Sequence, residues 1–186
     1  MQSQALVNRV LVDIGDTKLN NVISFVGGVL LITLLAQVVI PLPWTPVPIT
    51  GQTFAVSLVA LLWGQKKAFS IVSCYLLLGT FGLPVFAQAQ SGITFGATSG
   101  YLLGMLLSTL VVGYFSDRGW TQSFFRSWLA GFLGSCVTFA CGLFVLSFFV
   151  PFEALLISGL LPFLPGDLVK TVTAATIANR LTKIKA

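Results

Sequence analysis

Histidine is absent from this chain, and charge is scarce: only 8% of its 186 residues are Asp, Glu, Lys or Arg. Without imidazole, His-containing metal sites and Ser-His-Asp constellations drop out. A soluble domain carries about 25% charged residues, so the shortfall excludes an ordinary globular protein and a disordered chain. The formal net charge of +5 lifts the pI to about 9.4. The basic residues stand singly or in pairs, however, so there is no stripe to bind nucleic acid. The three cysteines, Cys74, Cys136 and Cys141, all lie inside apolar runs. They read as small packing residues and not as a disulfide framework. No G-x-x-x-x-G-K-[ST] loop for ATP occurs. The N-terminal stretch, with Asn8, Arg9, Asp13, Asp16 and Lys18, lacks the basic-then-apolar pattern of a cleavable signal.

What remains is apolar. Hydrophobic residues make up 56% of the chain, and the mean hydropathy is +0.97. The bilayer is the solvent that suits such a sequence, and at about 20 residues per span there is room for about six helices. The expected fold class is an all-α integral membrane protein of six transmembrane helices in a single domain. The segments run over Val22–Ile40, Thr53–Gly64, Ala68–Leu83, Ala97–Phe115, Phe125–Phe149 and Phe163–Leu181. Residues 1–21 form an N-terminal cytoplasmic segment, 22–182 the membrane domain and 183–186 a cytoplasmic tail.

Prolines at 41, 43, 46 and 48 forbid a regular helix between the first two segments. The second segment would cover only about 18 Å, less than a bilayer core of about 30 Å. Either the Pro-rich loop re-enters the membrane or this helix is buried among its neighbours. Non-helical backbone at membrane depth is tolerated only against protein or a cavity. Between the last two segments, residues 150–162 are apolar apart from Glu153 and read as an interfacial helix.

Lys and Arg set the orientation. Arg9, Lys18, Lys66, Lys67, Arg118, Arg126, Arg180, Lys183 and Lys185 fall in alternate connections, and the other three loops have none. Both termini are therefore expected on the cytoplasmic side of a bacterial plasma membrane.

Lys170 breaks that segregation. It lies three residues after Asp167 in Pro162-Phe-Leu-Pro-Gly-Asp167-Leu-Val-Lys170, so the two share a helix face in the outer half of the sixth segment. Charges at such depth cost about 2.5–3.5 kcal/mol each and face a bundle interior or cavity. Asp167 could instead cap the helix that starts near Pro165 and Gly166, with Lys170 paired to it. A ligand site is favoured, because the Pro- and Gly-rich outer loops converge on the same side and a cap needs no lysine one turn deeper. The pair offers a small polar ligand one acceptor and one strong donor. Trp44, Tyr75, Phe86, Tyr101 and Phe163 are candidate walls.

Four motifs then resemble those of the BioY family, the biotin-binding S components of energy-coupling-factor transporters. They are Pro46-Val-Pro-Ile-Thr-Gly-Gln52, Tyr75-Leu-Leu-Leu-Gly-Thr-Phe-Gly-Leu-Pro-Val-Phe-Ala87, Gly96-Ala-Thr-Ser-Gly-Tyr101-Leu and the Pro162–Lys170 run above. The resemblance implies a vitamin-binding membrane protein with no catalysis of its own and no cofactor. Biotin would be its ligand. ATP would be consumed only by partners, a T component and two ATPase subunits, although some family members are proposed to work alone. It implies biotin contacts from Asp167 and Lys170, plus a polar residue after the third segment: Gln90 first, Gln88 next. Gly28, Ile32 and Ala36, spaced by four on the first segment, match the family's small-residue face toward the T component, with Ile32 interrupting it. Gly96, Gly100 and Gly104 make a cleaner strip, read as internal packing. Competing readings are an S component for another vitamin, an intramembrane enzyme using Asp167, and a structural membrane protein.

Overall fold

The computed structural model describes residues 17–92 and 96–184. The expectations placed on Asn8, Arg9, Asp13, Asp16 and Lys185 lie outside the described residues. Helix α1 spans Thr17–Ala36. The Pro-rich chain after it folds as a small hairpin, strands β1 (Val39–Ile40) and β2 (Ile49–Thr50), with Val39 opposite Thr50 and Ile40 opposite Ile49. Helix α2 runs over Gln52–Thr80, α3 over Ser99–Asp117 and α4 over Phe124–Leu146. A short α5, Phe152–Gly159, precedes α6, Leu164–Ile184. Among the described residues, five helical stretches are long and apolar enough to cross a membrane, the last running from Phe152 to Ile184. The six expected segments become five because the second and third are one helical element through Gly64.

That element is not straight. Gly64 has φ 74° and ψ 179°, a region essentially closed to residues with a Cβ. Gln52 Nε2 donates to Tyr75 Oη at 2.6 Å, although 23 residues of straight helix would part them by about 34 Å. The two limbs therefore fold back on each other, and one glycine makes the turn where a loop through Lys67 is expected. Gly64→Ala should destabilise the protein by about 1–3 kcal/mol, read as a lower thermal midpoint in detergent. An unchanged midpoint would mean that the corner does not need this backbone.

Every residue from Ala55 to Leu62 is buried, so the short first limb is shielded by its neighbours. Helix α3 packs between α2 and α4. Its approach to α4 is close at Gly100 and Gly104: a Cβ there would lie 2.5 Å from the Cys141 carbonyl oxygen and 2.8 Å from Thr138 Cα. This strip packs internally, as expected.

The strip on α1 is a correction. Gly28, Ile32 and Ala36 are buried, and a Cβ on Gly28 would sit 2.7 Å from Ile71 Cδ1. The strip thus faces the interior of the described structure, with Gly28 against α2, and not its surface. The exposed face of α1 carries Val22, Val26, Leu30 and Leu34 instead.

Four hydrogen bonds gather one end of the bundle. Lys67 Nζ donates to Asn21 Oδ1 at 3.3 Å and to Ser24 Oγ. The Gln65 N–H donates to Asp117 Oδ2 at 3.0 Å, and Asn179 Nδ2 to the Thr121 carbonyl at 3.0 Å. Lys18, Lys66, Lys67, Arg118, Arg126, Arg180 and Lys183 belong to the elements joined there. The hairpin, the loop before α3 and the start of α6 occupy the other end.

Candidate binding site

At that other end the elements enclose a cavity of about 370 Å³, within the usual range for small-molecule sites, about 300–1,000 Å³. The hairpin and the start of α2 form one wall, the loop at residues 86–92 a second, and α3, α4 and α6 the rest. Asp167, Lys170, Gln90, Gln88, Phe86, Tyr101 and Phe163 all line it.

Asp167 sits inside the first turn of α6. Its N–H donates to the Phe163 carbonyl at 2.8 Å, and its Oδ1 accepts from Ser135 Oγ of α4 at 2.9 Å. Lys170, one turn deeper, reaches across to α2. Its Nζ donates to the Thr50 carbonyl at 2.8 Å and to Thr53 Oγ1 at 3.1 Å. Among the described residues the two charges make no direct ion pair. Each is held by a different helix, and each keeps capacity to spare. A carboxylate accepts at both oxygens and an ammonium has three donors, so Asp167 Oδ2 and one Lys170 N–H remain without a protein partner among the described residues.

Behind the wall runs a chain of hydrogen bonds. Thr50 Oγ1 donates to Gln52 Oε1 at 3.1 Å, Gln52 Nε2 to Tyr75 Oη at 2.6 Å, and Tyr75 Oη to the Val85 carbonyl at 3.1 Å. Tyr75 is thus a support, 1% exposed and set edge-on to Phe86 with centroids 5.5 Å apart. Its expected place in the wall is corrected: Gln52 and Phe86 stand between it and the cavity. Trp44 is corrected too, being 61% exposed and outside the lining. Tyr101 does line the cavity. Its Oη donates to the Gly159 carbonyl at 2.7 Å, and its ring meets Phe139 and Phe163.

Sequence reasoning missed Thr50, Gln52, Thr53 and Ser135. Thr50, Gln52 and Thr53 follow directly on the proline run, a usable signal. Ser135 belongs with Gly131, Thr138 and Gly142 to a strip of small residues at helical spacing, which marks the inward face of an apolar helix.

The BioY family model matches residues 6–186. The biotin transporter BioY of Thermotoga maritima is 41% identical over 149 residues, covering 78% of this chain and 87% of that protein. A probable biotin transporter BioY of Pyrococcus horikoshii is 38% identical, covering 73% of this chain and 81% of the relative. The fold is similar to the crystal structure at 2.1 Å of the S-component for biotin from an ECF-type ABC transporter, with a TM-score of 0.84 and 28% identity over 91% of this chain and 94% of that one. Together with five long apolar helices, these likenesses make the chain a multi-pass membrane protein. With a family model spanning nearly its full length and a 41% identical relative aligned over more than two thirds of it, this chain belongs to the BioY family.

Proposed function

We propose that the chain binds biotin in this cavity and serves biotin uptake as the substrate-specific S component of an energy-coupling-factor transporter. The observation that carries the reading is the cavity itself, which presents one carboxylate and one ammonium, both with spare capacity, among apolar and aromatic walls. Biotin has a ureido ring with two N–H donors and a carbonyl, an apolar thiophane and a carboxylate. Asp167 Oδ2 accepts a ureido N–H, and Lys170 donates its remaining proton to the ureido oxygen or the carboxylate. Gln90 and Gln88 add polar contacts, while Phe86, Tyr101 and Phe163 hold the ring and chain. The β1–β2 hairpin covers the site.

Binding and release of one ligand involve no bond making, so the chain acts without catalysis or cofactor. In the S-component reading, energy comes from a T component and two ATPase subunits, and the sequence carries no P-loop of its own. The T component docks on a surface other than the buried Gly28, Ile32 and Ala36 strip. The chain crosses a bacterial cytoplasmic membrane six times, through α1, the two limbs of α2, α3, α4 and α6. The Gln52–Tyr75 hydrogen bond supports counting the limbs separately. Both termini face the cytoplasm, as the basic residues gathered at one end favour.

Titration of the detergent-purified chain should give one tightly bound biotin per chain, recovered chemically unchanged. No binding, or turnover of the vitamin, overturns the reading. In a variant lacking the native cysteines, Trp44→Cys should react with an impermeant maleimide on intact cells, and Lys183→Cys only after permeabilisation. The reverse pattern would invert the orientation.

A further inference from the structure

The loop that brings Gln88 and Gln90 to the cavity has a backbone that needs holding. Gln88 and Ala89 are both left-handed, with φ of 59° and 54°. Residues with a Cβ seldom enter that region, and two in succession persist only where the surroundings over-determine them. The surroundings here are largely one side chain, Gln37, just beyond the last residue of α1. Its Oε1 accepts the Ala89 N–H at 2.9 Å. Its Nε2 donates to the Phe86 carbonyl at 3.1 Å, lies 3.5 Å from the Val85 carbonyl, and reaches back to the Thr33 carbonyl of α1 at 3.1 Å.

A primary amide suits this place because it presents an acceptor and two donors in one plane. The loop offers it an N–H and carbonyls on adjacent residues. Within the loop, the Phe86 N–H donates to the Gln90 carbonyl at 3.1 Å and the Gln90 N–H to the Ala87 carbonyl at 3.3 Å. Ala87, Gln88 and Gln90 line the cavity, whereas Ala89 and Gln37 do not.

The geometry points to Gln37 as a positioning residue for ligand binding: it clamps the Phe86–Ala89 backbone, keeps Gln88 and Ala89 left-handed, and so presents Gln88 and Gln90 to the cavity. It acts only through the loop, and in doing so ties the end of α1 to the cavity rim. The inference rests on the biotin reading for its ligand, but the clamp itself can be observed without one.

The test uses the full-length chain in detergent. Without ligand, Gln37→Leu should speed amide hydrogen exchange in residues 85–92 by about two- to tenfold, the loss of one held hydrogen bond, with α3 unchanged. With biotin, the same variant should lose roughly ten- to a hundredfold in affinity, mostly through faster dissociation. Glycine is at ease in the left-handed region, so Ala89→Gly alone should bind as the parent does, and Gln37→Leu with Ala89→Gly should recover a good part of the loss. General damage to the fold would not be relieved by a glycine at one loop position. Unchanged exchange, parental affinity in a folded Gln37→Leu variant, or no recovery in the double variant each overturns the proposal. Absence of biotin binding by the parent, with the exchange effect present, overturns the ligand reading and leaves the clamp standing.

Discussion

Asp167→Asn should lower biotin affinity by roughly ten- to a hundredfold or more, since a hydrogen bond to a charged group contributes about 1.5–3 kcal/mol. The substitution preserves the shape of the side chain and its ability to accept from Ser135 Oγ, the contact that now holds Oδ1 at 2.9 Å. It places an NH₂ where Oδ2 was, so an oxygen that accepts a ureido N–H becomes a donor facing a donor. The half-buried ammonium of Lys170 also loses the anion one helical turn away. Loss of affinity alone could come from a damaged α6, so the variant must first show a cooperative thermal transition near that of the parent. Ser135→Ala sharpens the test. It frees Oδ1 without removing the charge, and should weaken biotin only modestly, since a neutral hydrogen bond is worth about 0.5–1.5 kcal/mol. A folded Asp167→Asn variant that binds biotin as tightly as the parent would remove Asp167 from the site.

Lys170→Met should have the largest effect, roughly a hundredfold or more in affinity, because three interactions end together. The ammonium donates to the Thr50 carbonyl at 2.8 Å and to Thr53 Oγ1 at 3.1 Å, and its third proton is the one assigned to the ligand. Thr50 is the last residue of β2 and pairs with Val39. Removing the ammonium therefore releases the covering hairpin as well as a ligand contact. The expected signature is a double one: weaker biotin, and faster maleimide labelling of Trp44→Cys in the hairpin loop. Methionine keeps the apolar stem, which limits packing loss, although leaving Asp167 without the cation one turn away has a stability cost of its own. A biotin amide then decides which ligand group Lys170 meets. Contact with the carboxylate means that the amide binds poorly to the parent and that the Met variant no longer separates acid from amide. Contact with the ureido oxygen means that both lose affinity about equally. Parental affinity with faster labelling would make Lys170 a structural strut only, and parental affinity with parental labelling would remove both roles.

Lys170 and Asp167 show how much was legible in the sequence. Two ionisable residues three apart, isolated in an apolar segment, announce themselves because the bilayer penalises charge that is not put to use. The prolines at 41–48 and the split of Lys and Arg between alternate connections are equally readable, since each follows from backbone chemistry or membrane electrostatics acting locally. Gln88 and Gln90 come instead from the resemblance to the BioY family, which implies a polar ligand contact after the third segment.

What could not be read depended on which surfaces meet. In water, a helix displays its inward face as an apolar stripe. A membrane helix is apolar all round, because lipid and protein interior are alike in polarity, so α1 carries no such stripe. Spacing alone therefore gave no direction to Gly28, Ile32 and Ala36, and only the approach of Gly28 to Ile71 on α2 and the burial of all three place them inside. For the same reason two aromatic rings with equal claims to the site parted company: Trp44 remained exposed, and Tyr75 went one layer behind Phe86. Composition, helix-forming segments, one charged face and the proline-bound outer loop were determined by the sequence itself. The fold-back at Gly64, the division of Asp167 and Lys170 between Ser135 on one side and Thr50 of β2 with Thr53 of α2 on the other, and the hold of Gln37 on a loop about fifty residues away in sequence were decided only by tertiary structure, because each joins groups whose chemistry is ordinary until packing brings them within hydrogen-bonding distance.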